Sequence, residues 1–215
     1  MLIDPFFDMS PSVQTALSGL TEAAKTCFKD DLSSIVLFGS GAEGRLRATS
    51  DINLLILLKQ FRQEEADGLR DPLRLARAAA RAVAMFILEE ELPSAVELFA
   101  VKFSDIARRH RVLFGELPAA LRAIPPADKK RQLREMLMNL VLRLRLSYTS
   151  LREDMLAEIV AGTAGPLRSA ASTLLDLEGQ PVGSPRESLE TVVRSLDGGQ
   201  WSEVLTHITA ARESA

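Results

Sequence analysis

A chain of 215 residues, 47 % apolar and 26 % charged, is long enough for one large domain or two small ones built around a real core. Its formal charge of −3 leaves no overall basic footprint for nucleic acid, and no apolar run reaches the roughly 18 residues of a membrane-spanning helix. A single cysteine, Cys27, excludes an internal disulfide framework. With no basic, secretory-type start to the sequence, a cytoplasmic location is expected.

Residues 1–9 are apolar and contain proline, which reads as a docking arm. Ser10 or Ser12 is placed to cap a helix with Pro11 in its first turn. Val13, Leu17, Leu20, Ala24 and Phe28 then recur at helical spacing. Cys27 lies in this pattern and reads as a small buried hydrophobe. From Ser33 to Leu58 the chain changes period. An apolar run from Ile35 to Phe38 meets a Gly39-Ser40 turn, and a second run follows from Asp51 to Leu58. Short continuous apolar runs bounded by turn residues are the pattern of strands covered on both faces. They would bring Gly39, Ser40 and Asp51 to one end of a sheet.

Lys59 to Met85 reads as helical, with Arg70, Arg74, Arg77 and Arg81 on one stripe that is expected to be solvated. Met85 to Leu88 fits a short strand, and Val96 to Phe103 (VELFAVKF) reads as the third clear strand. Asp105 to Glu116 is expected to be a short helix carrying the basic run Arg108, Arg109, His110 and Arg111. His110 and His207 lie far apart in sequence and make poor metal ligands. Pro118, Pro125 and Pro126 mark a linker. Beyond it the sequence predicts only helices: Asp128 to Leu151, Glu153 to Ala161, Pro166 to Leu177, Ser188 to Leu196 and Ser202 to Arg212. Gly162 and Gly165 are read as breaks, and Ser184-Pro185-Arg186-Glu187 as a capped helix start. Apolar stripes joined by short breaks imply an antiparallel bundle.

The stretch Phe38-Gly39-Ser40, ten residues, then Asp51-Ile52-Asn53 leading into Leu54, Leu55 and Ile56 resembles the nucleotidyltransferase superfamily of DNA polymerase beta and kanamycin nucleotidyltransferase. Gly41 to Arg45 and Ser50 are similar to that family as well. The resemblance implies an α+β fold, a nucleotidyltransferase-like mixed sheet flanked by helices (residues 1–117), followed by an all-α C-terminal helical bundle (residues 118–215). It also implies transfer of a nucleoside monophosphate from an NTP to a hydroxyl acceptor using Mg2+. Gly39, Ser40, Arg45 and Ser50 would hold the nucleotide, and Asp51 and Glu97 would ligate metal. Asn53 stands where the family has a second aspartate, which weakens a site that must hold two hard cations on carboxylate oxygens. The third acid has two registers: Glu97, or the position of Lys102, where related bacterial proteins carry glutamate. Strand period two puts these on opposite faces. Glu43 is a further candidate acid.

Two kinds of function follow. One is an impaired Mg2+-dependent nucleotidyltransferase with Asp51, Asn53 and Glu97 as its catalytic set. The other is a catalytically silent nucleotide-binding or protein-interaction module that acts through the helical domain, with a protein partner or a homodimer.

Overall fold

The computed structural model describes residues 9–44, 50–150, 155–197 and 201–214. Arg45 and most of the N-terminal arm therefore lie outside the described residues. The chain divides into two compact units, Met1–Glu97 with Asp105–Ile124 and Leu98–Ser104 with Pro125–Ala215. Among the described residues no helix is long and apolar enough to cross a membrane.

The first unit opens with α1 (Pro11–Phe28). Pro11 occupies its first turn, where the missing N–H is no loss. Ser10 holds the capping position without a side-chain cap; its hydroxyl meets that of Ser12 at 3.1 Å. Strands β1 (Leu32–Phe38) and β2 (Ile52–Leu58) follow as the apolar runs predict. Helix α2 (Gln63–Ala80) then returns the chain to β3 (Ala82–Leu88), parallel to β2. The last strand, β4 (His110–Phe114), pairs antiparallel with β1. The result is a mixed four-stranded sheet of order β3-β2-β1-β4.

One face of this sheet is the core. Ile52, Leu54, Ile56 and Leu58 alternate along β2 and join Ile35 and Leu37 of β1. Against them pack Leu17, Leu20, Ala24 and Phe28 of α1 with Leu69, Ala76 and Ala80 of α2. Phe28 is 1 % exposed, and burying a side chain of that size contributes roughly 2–3 kcal/mol. Cys27 is half-buried and reduced, its sulfur 3.1 Å from where a Cβ on Gly68 would lie, so α1 and α2 approach closely there. At the far end Gly115 closes β4 at φ +70°. A Cβ there would sit 2.2 Å from the Ser33 carbonyl oxygen, a position that only glycine can hold.

Three expectations are corrected. Val96 to Phe103 is not a strand but the end of α3 (Leu92–Leu98) and the start of α4 (Ala100–Arg108). Leu92, Val96 and Ala100 are buried at steps of four while Glu97, Leu98 and Phe99 are exposed, so helical period wins over β-propensity in an apolar run that suits either. Residues 105–116 are not one helix: α4 stops at Arg108, and His110 to Phe114 pair with β1. Strand β3 begins at Ala82 because α2 ends there, so the helical region is shorter than Lys59 to Met85.

In the second unit α5 (Pro126–Ser150), α6 (Leu156–Leu177), α7 (Pro185–Asp197) and α8 (Ser202–Ser214) form the helical C-terminal region. Helix α6 packs against the other three. It runs unbroken through Gly162, Gly165 and Pro166, contrary to the expected breaks. The carbonyl that the Pro166 ring faces belongs to Gly162, whose missing side chain leaves open space. The capped start of α7 is as expected. The Ser184 hydroxyl accepts from the Glu187 N–H at 3.3 Å, and the Glu187 carboxylate accepts from the Ser184 N–H at 2.8 Å. The Gln132 amide of α5 fastens the Leu98–Ser104 segment by accepting from the Val101 N–H and donating to the Leu98 carbonyl.

Candidate nucleotide-binding site

The strand register places one end of the sheet under close definition. Phe38 pairs with both Asn53 and His110, and Asn53 pairs with Val83. Val83, Asn53, Phe38 and His110 thus form one row across β3, β2, β1 and β4, all on the face opposite the α1–α2 core. Asp51 and Arg81 lie two residues before Asn53 and Val83, and the Gly39-Ser40 turn leaves β1 beside this row.

The turn is a single 3-10 loop, Gly39–Gly41, entered by Gly39 at φ +75°. Gly39 lies against Asn53: a Cβ there would be 4.0 Å from the amide nitrogen. Three contacts hold the loop to the start of β4. The Gly39 N–H donates to the Arg109 carbonyl at 3.0 Å. The Arg111 guanidinium donates to the Ala42 carbonyl. The Arg109 guanidinium donates to Glu43 at 3.1 Å and to Asp105 through both Nε and Nη2. Burial lowers the Arg109 pKa, but the hydrogen bonds and charges of Asp105, then Glu43, outweigh it and hold the group above the ordinary guanidinium value. Its stabilising charge is therefore present at every pH below that value, with no loss on the acid side from Arg109 itself. The basic run 108–111 is largely structural. Glu43 serves the same clasp.

Asp51 is half-exposed and bound by Arg81, whose Nε and Nη2 lie 3.1 and 3.0 Å from one carboxylate oxygen. Arg81 is the residue that sequence reasoning missed. In the sequence it falls in step with Arg70, Arg74 and Arg77 on a helix stripe. Arg70 and Arg74 do pair locally with Asp67 and Asp71. Arg81, however, has left the helix: it ends α2 in the left-handed conformation, φ 52° and ψ 34°, and its N–H closes onto the Arg77 carbonyl at 2.9 Å. Glycine is the usual residue there, and an L side chain costs about 1 kcal/mol. An ion pair as exposed as Asp51–Arg81 contributes about 0–1 kcal/mol. The two magnitudes cancel, so stability gives no reason for arginine at this position.

The remaining candidates scatter. Asn53 turns its amide nitrogen toward the Asp51 backbone carbonyl at a long 3.4 Å. Ser50 is half-buried. Glu97 lies on the exposed side of α3 and Lys102 on α4, so neither is on a strand beside Asp51, and the two strand registers no longer apply. Beside Asn53 the sheet offers Val83, 39 % exposed, where a flanking acid would be needed. His110 is held by its own turn, its Nδ1 2.9 Å from the Ala107 carbonyl oxygen.

A family model described as "Nucleotidyltransferase domain" matches residues 19–111, from within α1 into β4. Residues 19–111 are therefore similar to a nucleotidyltransferase domain. Among solved structures the chain is similar to spectinomycin adenyltransferase from Enterococcus faecialis, determined with ATP and spectinomycin. The two are 13 % identical with a TM-score of 0.60, over 92 % of this chain and 89 % of that one, a likeness of fold alone. No curated protein sequence matches the chain significantly.

The nucleotidyltransferase domain supports NTP-dependent transfer as its general chemistry, and members of the superfamily generally use divalent metals. The donor set of this chain does not fit a metal pair. Such a pair needs several carboxylate oxygens converging on hard cations. Here one carboxylate, Asp51, is charge-paired by Arg81, its neighbour is a neutral amide, and the next strand presents valine. Among the described residues no three histidine, cysteine, aspartate or glutamate side chains converge.

The loop clasp makes a prediction of its own. Arg109→Ala leaves Glu43 and Asp105 half-buried without their shared cation and should destabilise the first unit by about 2–3 kcal/mol. Urea unfolding measures the loss, and hydrogen exchange should show it concentrated in residues 39–44.

Proposed function

We propose that this chain is a nucleotide-binding member of the nucleotidyltransferase fold that has lost two-metal transfer of a nucleoside monophosphate to a hydroxyl acceptor. The observation that carries this reading is the mouth of the sheet, where Arg81 neutralises Asp51 and Asn53 and Val83 stand beside it. An NTP is the ligand that the fold suggests, and the similar Enterococcus enzyme was determined with ATP. Gly39, Ser40, Ser50 and Arg45 are the proposed nucleotide contacts. Mg2+ on Asp51 and Glu97, and catalysis by Asp51, Asn53 and Glu97, belong to the scheme that the resemblance implies and not to this chain's proposed activity.

The chemistry argues in the same direction. In-line displacement at a phosphorus atom needs charge placed on both the attacking and leaving oxygens. An amide at position 53 keeps one neutral oxygen and loses the full negative charge that would recruit the second ion. Incubation with each NTP, Mg2+ and spectinomycin as a reference acceptor should release no pyrophosphate above the protein-free blank. Asn53→Asp should make nucleotide binding respond to Mg2+, tightening it by about tenfold when the ion is added, roughly 1.4 kcal/mol. Pyrophosphate release by the unaltered chain, abolished in Asp51→Ala, would show that transfer survives.

A second reading concerns the helical region, and a specific surface favours it. On α5, Leu137, Val141, Leu144 and Tyr148 recur at steps of four, three and four, and each is at least 38 % exposed. Met138, Leu142 and Leu146 are exposed beside them. Only Leu133 of this helix is buried. A heptad-spaced apolar seam about three turns long is the form in which helices of two chains pair. We propose self-association through this face. Light scattering at micromolar concentration should give the mass of two chains, and Val141→Glu with Leu144→Glu should give one. A mass of one chain for the unaltered protein at all concentrations would rule the seam out.

A further inference from the structure

Arg81 combines three properties that stability does not explain. It holds a left-handed conformation that glycine would hold without strain. It ends α2 at the point where β3 begins, so its backbone is fixed by the helix on one side and by the sheet on the other: its carbonyl accepts the Ile52 N–H at 3.1 Å. Its side chain is then fixed a third time by Asp51: Nε donates a hydrogen bond to one carboxylate oxygen, and Nη2 lies 3.0 Å from the same atom. These contacts engage one edge of a guanidinium that carries five N–H donors. About half of the side-chain surface is open to solvent at the mouth of the sheet.

A guanidinium held by a carboxylate along one edge presents the other edge as a rigid, permanently charged fork, which matches pairs of phosphate oxygens. In the two-metal chemistry of this fold, positive charge at the aspartate is delivered by a divalent ion. In this chain the positive charge beside Asp51 is already present as Arg81.

We propose that Arg81 takes the place of the metal, forming with Asp51 a metal-independent site for the phosphates of a nucleoside triphosphate. This inference rests on the nucleotide-binding reading above and deepens it. Asp51 then changes role: it is the positioning residue that orients the guanidinium, and no bond is made or broken. Ligand selection would rest on phosphate charge, so ATP should bind more tightly than ADP, and AMP least.

The position allows a clean test, because Arg81→Gly removes the side chain while relieving the backbone. Titration calorimetry with ATP in EDTA and in Mg2+, together with thermal unfolding, reads both effects. The unaltered chain should bind ATP in EDTA. Arg81→Gly should weaken that binding at least tenfold with an unfolding temperature unchanged or higher, and Arg81→Lys should recover part of the affinity. Binding of ATP to Arg81→Gly in EDTA with unaltered affinity would overturn the role of Arg81 and leave the nucleotide-binding reading standing. So would binding by the unaltered chain that requires Mg2+. No ATP binding to the unaltered chain at millimolar concentration, with or without Mg2+, would overturn both.

Discussion

The proposed function turns on the ion pair between Asp51 and Arg81. The scaffold delivers an aspartate to the mouth of a sheet beside a Gly-Ser turn, the geometry on which nucleotidyl transfer is built. The same scaffold delivers an arginine to that aspartate from the neighbouring strand connection. Charge is then balanced before any ion or ligand arrives. With an amide at position 53 and a valine at position 83, no cluster of carboxylates among the described residues supplies the negative field that a pair of hard cations requires.

Around this pair the rest of the first unit acts as support. The apolar rows of β1 and β2 pack on α1 and α2, fixing the register that sets Val83, Asn53, Phe38 and His110 side by side. On the other flank the arginines at the start of β4 bind the loop after β1 through Glu43, Asp105 and the Ala42 carbonyl. The turn is therefore held by half-buried charge, while Arg81 is held at the mouth by its own backbone and by Asp51. A ligand can then be met by a guanidinium already in place, without reshaping the sheet.

Much of this frame is legible in the sequence, for definite reasons. The runs Ile35 to Phe38 and Ile52 to Leu58 are too short and too continuously apolar for amphipathic helices, and Gly39 and Ser40 punctuate them. Ser184 and Glu187 announce a helix start because a capping box is a local device. The third acid is different. VELFAVKF satisfies strand and helix patterns equally, and only tertiary packing of Val96, Ala100 and Val101 selects the helix. HRVLF is likewise decided by its pairing with β1. Arg81 is invisible to any periodicity argument, since it lies in step with Arg74 and Arg77. Its role depends on the helix ending one residue earlier, and an alanine-rich run carries no glycine to mark that end. Val83 acquires meaning only from the register of β3 against β2.

If Arg81 stands in for the metal, the mouth of the sheet holds no divalent ion. Titration of the unaltered chain with Mn2+, following the free ion by electron paramagnetic resonance in the absence of nucleotide, tests this most directly. Free Mn2+ should rise with total Mn2+ with no saturable site. A saturable site of one or two ions per chain, lost in Asp51→Ala, would contradict it.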